Sequence, residues 1–192
     1  SLTNDMLDEN DMFAKAEIRS LLTSIKLLGV ETFGDVRRIG LIDLLLLDNE
    51  NDDLDLFFDS NYIRVMVSRM LTSKTIKTRI ADSAGFEVEN FDLGSTERDV
   101  DNNLTKAEVK NVFIALNTLN ITDFNNISLT NTTLKGLSDD ELEIVLDSNF
   151  FYQVIDLKLK HELTDKVTDE SIVNDLDDKH YDYIKKSEIK GL

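Results

Sequence analysis

The sequence predicts an all-α fold made of two tandem helical repeat units of about four helices each. Three features carry that expectation: a helical apolar periodicity, a 22-residue block written twice, and a shared Asp-Ser-Asn punctuation mark. "KAEIRSLLTSIKLLGVETFGDV" (15–36) lies over "KAEVKNVFIALNTLNITDFNNI" (106–127) at an offset of 91. Ile18/Val109, Leu21/Val112, Leu22/Phe113, Ile25/Leu116 and Leu28/Leu119 coincide at i, i+3, i+4, i+7 and i+10, one face of an α-helix. Gly29 matches Asn120, and both residue types tolerate the left-handed conformation that ends a helix.

The second block pairs "NDDLDLFFDSNY" (51–62) with "DDELEIVLDSNF" (139–150) at an offset of 88. Asp-Ser-Asn recurs as Asp59-Ser60-Asn61 and Asp147-Ser148-Asn149, and reads as the N-cap of the helix that follows. A third echo, "IKKSEIKGL" (184–192), places Lys186 in line with Lys15 and Lys106. The chain therefore looks like two units and the start of a third, a segment of a longer array.

Each unit is expected to run through a long helix (15–28; 106–119), a short apolar helix (41–47; 133–137), a third helix (52–58; 139–146) and a fourth (61–73; 149–163). The expected boundaries are 1–78 for the first unit, 79–103 for an acidic linker, 104–166 for the second unit, and 167–192 for a linker and the start of a third. The alternating "FEVENF" (86–91) suggests a short strand or hairpin arm in the first linker.

Composition narrows function. There are 21 Lys and Arg against 38 Asp and Glu, a formal net charge of −17. That field repels phosphate backbones and anionic lipid, so neither nucleic acid nor a membrane surface is an expected partner. Apolar residues make up 41%, enough for a folded core, yet no run is long enough to span a bilayer. With no Cys, thiolate catalysis, disulfides and Cys-ligated zinc are excluded. Absence of Cys does not fix the compartment, and a cytoplasmic one stays open.

The stretch "ERDVDNNLTKAE" (97–108) carries two readings. It resembles the EF-hand calcium loop, which implies oxygen ligands from Glu97, Asp99, Asp101, Thr105 and Glu108 and the backbone carbonyl of Asn103. It departs from that pattern at Glu97, where Asp is usual, and at Asn102, where Gly is usual. The same letters also spell a helix start: Thr105 and Glu108 as a capping box, Leu104 and Val109 as a hydrophobic staple. The other copies favour the capped helix. Position 1 becomes Met6 and Asp177, and position 3 becomes Asp8 and Lys179, whereas Glu17, Glu108 and Glu188 persist.

Remaining candidates are weaker. Neighbouring carboxylates are unavoidable among 38, His161 stands among charged residues, and His180 beside Asp177 and Asp178 matches no metal-site spacing. No phosphate loop, nucleophile elbow or HExxH motif occurs. The expectation is a non-enzymatic structural or interaction module with no cofactor, working with a protein partner or neighbouring repeats of a longer chain. Analogy with other acidic repeat proteins points to an extracellular or cell-surface setting. The alternative is a calcium-binding module centred on 97–108.

Overall fold

A computed structural model describes residues 6–10, 12–32, 35, 51–93, 97–122, 129, 133–134 and 136–164. Among them every regular element is helical: α1 (Lys15–Leu27), α2 (Asn51–Phe57), α3 (Asn61–Leu71), α4 (Lys74–Ala84), α5 (Lys106–Thr118), α6 (Asp139–Leu146) and α7 (Asn149–Thr164). The protein is thus all-α over its described part. The short helix expected at 41–47 and the third start at 167–192 lie outside the described residues. Of the helix expected at 133–137, residues 133–134 are helical.

The stop signals of α1 and α5 work as the sequence suggests. Gly29 takes φ 64° and Asn120 φ 53°. The following amides, Val30 and Ile121, then reach back to the carbonyls of Ile25 and Leu116 at 3.2 and 2.9 Å. This 6→1 closure satisfies carbonyls that a helix end otherwise leaves open.

The segment after α3 differs from expectation. Ser73 caps a new helix by accepting from the Ile76 amide, and α4 runs across the expected boundary at residue 79 until Gly85 ends it at φ 85°. Ile76, Ile80, Ala81 and Ala84 form its inner stripe, a helical spacing that the charged residues between them obscure. The strand expected over 86–91 is also corrected: Val88–Asn90 is a 3-10 turn. The turn brings Phe86 and Phe91 onto each other, ring centroids 6.1 Å apart, in place of sheet pairing.

One continuous core joins the helices on either side of this segment. Helix α5 lies at its centre, touching α2, α3, α6 and α7, with Val109, Val112, Phe113, Ala115 and Leu116 fully buried. Aromatic rings link the parts: Phe58 meets Phe113 at 5.4 Å, and Phe91 meets Phe150 at 5.1 Å. Such tilted and edge-on pairs add about 1 kcal/mol each beyond the area they bury.

Candidate functional site

The most organised polar structure is a buried carboxylate placed against the start of another helix. Glu17, in the first turn of α1, is 4% exposed. Its Oε1 accepts from the Ser60 hydroxyl (2.8 Å) and the Tyr62 amide (2.9 Å), and its Oε2 from the Asn61 amide (3.0 Å). The Ser60 Oγ in turn accepts from the Ile63 amide. Three amides that open α3 therefore find acceptors, and a negative charge sits at the positive end of the helix dipole.

Glu108, in the first turn of α5, does the same for α7. Its carboxylate accepts from the Ser148 hydroxyl (3.1 Å) and the amides of Asn149 (3.1 Å) and Phe150 (2.8 Å). Ser148 accepts from the Phe151 amide. Burial raises the Glu108 pKa. The donated hydrogen bonds oppose that rise, and the neighbouring charge of Glu97 adds to it. Where Glu97 stands beside Glu108, Met6 occupies the corresponding place before α1, and Met6 is 1% exposed.

These contacts revise the expected capping box at Thr105. The Thr105 hydroxyl does accept from the Glu108 amide at 3.2 Å. The Glu108 side chain does not return to the Thr105 amide, which donates instead to the Glu97 carbonyl. Two free amides and a hydroxyl at a helix N-terminus solvate a buried carboxylate better than a single amide would.

The candidate calcium ligands are distributed by a tight loop. Asp99 Oδ1 accepts from the amides of Asp101 (3.0 Å) and Asn103 (2.9 Å), and the Asp99 amide donates to the Asn103 carbonyl at 2.7 Å. Asn102 turns the chain at φ 63°. Burial pulls the Asp99 carboxyl upward, but the Asn103 amide and the Arg64 guanidinium outweigh it, and its pKa lies below the ordinary range. Asp101 is exposed, Glu97 and Thr105 are half-buried, and Glu108 faces α7. The structure thus brings Asp99, Asp101 and Asn103 into one turn and directs Glu108 elsewhere. Among the described residues no group of three or more acidic or imidazole side chains is placed to hold a metal.

The loop before α1 has the same bonding. Asp8 Oδ1 accepts from the amides of Asn10 (2.8 Å) and Met12 (3.1 Å), and the Asp8 amide donates to the Met12 carbonyl at 2.7 Å. Bridges Leu7–Phe13 and Arg98–Leu104 close the two loops.

A junction then joins α2 and α3 to this second loop and α5. Arg64, 5% exposed, donates through Nη1 to Asp99 Oδ2 and to the Leu104 carbonyl, both at 2.7 Å. The Leu104 amide donates to the Ser68 hydroxyl at 2.7 Å. Lys106 pairs with Asp59 at 2.5 Å and Lys110 with Asp55 at 2.6 Å. The Lys110 hydrogen bond holds the Asp55 pKa below its usual value. Farther along, the Gln153 side-chain amide donates to the Asp92 carbonyl.

His161 lies against Gly85, where an added Cβ would stand 3.5 Å from its ring, and His180 lies outside the described residues. Among the described residues no helix is long and apolar enough to cross a membrane. The chain matches no known protein family, no characterised protein and no solved structure.

Sequence reading missed the tertiary role of Glu17 and Glu108. The signal was present: the glutamate and the Asp-Ser-Asn run are among the polar residues shared by the two aligned blocks, while many of the residues around them change.

Proposed function

We propose that the protein is a non-enzymatic structural or interaction module in which one helical unit occurs twice, as a segment of a larger repeat array. The observation that supports this reading most is the duplicated polar arrangement. Glu17 on Ser60-Asn61-Tyr62 and Glu108 on Ser148-Asn149-Phe150 use the same atoms, each preceded by a loop closed by one aspartate, Asp8 or Asp99. Polar chemistry is committed to holding helices together, as in arrays where stability comes from units and the interfaces between neighbours. The acidic surface suits a secreted or cell-surface scaffold with protein partners.

Two measurements test the proposal. An experimental structure should superimpose 6–30 on 97–121 together with their bonded helix starts; a poor superposition overturns the repeat. Thermal unfolding should be unchanged by millimolar calcium. A midpoint that rises with calcium, and no longer does so in Asp99→Ala or Asp101→Ala, would replace this reading with the calcium-binding one at 97–108.

A further inference from the structure

The outer face of α1 bears Lys15, Ile18, Arg19 and Leu22 at i, i+3, i+4 and i+7. Ile18 is 45% and Leu22 49% exposed, with Met12 nearby in sequence at 61%. The matching face of α5 bears Lys106, Val109, Lys110 and Phe113, and there Val109 and Phe113 are completely buried. Part of the cover is the end of α2 and the two residues after it: Phe58 lies on Phe113, while Asp59 and Asp55 take Lys106 and Lys110. Both faces therefore alternate two cations with two apolar residues, in a chain whose net charge is −17.

We propose that the α1 face formed by Lys15, Ile18, Arg19 and Leu22 docks another helical unit of this chain's own type, through an acidic edge equivalent to Asp55, Phe58 and Asp59. The inference rests on the repeat reading and adds to it that the first unit is itself a receiver. Charge complementarity names the occupant: carboxylates one helical turn apart, flanking an aromatic or large aliphatic side chain, meet the two cations as they do at α5. A basic, membrane-like or wholly apolar partner would leave those matches unused.

The direct test places the α1 face in the junction that already exists. The triple variant Val109→Ile, Lys110→Arg, Phe113→Leu in the full chain is expected to melt in one cooperative transition, with a smaller loss of midpoint than Phe113→Ala. A loss as large as that of Phe113→Asp overturns the proposal, because the face then does not fit an acidic edge of this kind. This outcome leaves the superposition test of the repeat untouched.

A second test presents a real occupant. Residues 1–103 are joined directly ahead of Phe13 in a second copy of the chain, so that the added unit faces α1. Leu22→Asp is expected to be nearly silent in the parent chain and to lower the midpoint by several degrees, on the order of 5 °C, in the extended one. If Leu22→Asp is equally silent in both, the face does not receive the unit and the proposal fails. Should the extended chain not fold, the triple variant decides alone.

Discussion

Ser60 donates a 2.8 Å hydrogen bond to Glu17 from 43 residues away, and with the Asn61 and Tyr62 amides it surrounds a carboxylate that water scarcely reaches. Replacing the acid by its amide keeps the size and removes the charge, and it turns a donor toward one of the waiting donors. Glu17→Gln and Glu108→Gln are each expected to cost about 2–3 kcal/mol, read by chemical denaturation of the full chain. Losses under 0.5 kcal/mol at both would show that the carboxylates do not hold α3 and α7.

Arg64 reaches the Asn61 side-chain oxygen at 3.3 Å, but its two short bonds, 2.7 Å each, go to the Asp99 carboxylate and the Leu104 carbonyl. Arg64→Ala strands both and is expected to cost about 3 kcal/mol. Lys106→Ala removes a partly exposed pair and should cost no more than about 1 kcal/mol, even at the short distance to Asp59. If the two substitutions were equally mild, the junction would depend on packing alone.

Asp99 and Glu108 titrate in opposite senses. Asp99 has a folded pKa below its unfolded value, so its contribution is present at neutral pH and is lost as pH falls through the folded value. Glu108 has a folded pKa above its unfolded value, so its ionisation weakens the fold as pH rises through that window. The stability gap between the protein and Asp99→Asn should therefore close in acid, below the ordinary aspartate range. For Glu108→Gln the gap should also change across the acidic side of neutrality, with the opposite sign. Denaturation midpoints recorded from about pH 2 to pH 7 would show either trend or its absence.

Phe113 and Leu22 occupy matching places on α5 and α1 but differ in exposure, 0% against 49%. Phe113→Ala is expected to cost about 3–5 kcal/mol and Leu22→Ala well under 1 kcal/mol in the isolated chain. Comparable losses would mean that the α1 face is already covered.

Gly85 ends α4 at φ 85°, and a Cβ there would also meet His161 at 3.5 Å. Gly85→Ala should cost about 1–2 kcal/mol from the left-handed backbone alone. Asn120→Gly, at the same kind of helix stop, should be close to neutral, and thermal midpoints separate the two.

Much of this was legible in local letters. The spacing of Val109, Val112, Phe113 and Leu116 marks α5, and Gly29 and Asn120 mark the stops, because periodicity and left-handed tolerance are properties of short windows. Ser60 and Ser148 were legible as caps for the same reason. Helix α4 was hidden because Lys74, Lys77, Arg79 and Asp82 dilute its apolar stripe, although Ser73 and Gly85 bracket it. The destination of the glutamates was not legible from either window alone, since the partner of Glu108 begins 40 residues later. Exposure of Ile18 beside burial of Val109 was equally hidden, because what covers a helix is set by its neighbours.

The first amides of a helix usually trade their protons with water fastest, having no carbonyl to hold them. Here those of Asn61, Tyr62, Asn149 and Phe150 are clasped by interior anions. In deuterium oxide they should be among the slow signals of the protein, so that α3 and α7 would fray from their far ends and not from their beginnings.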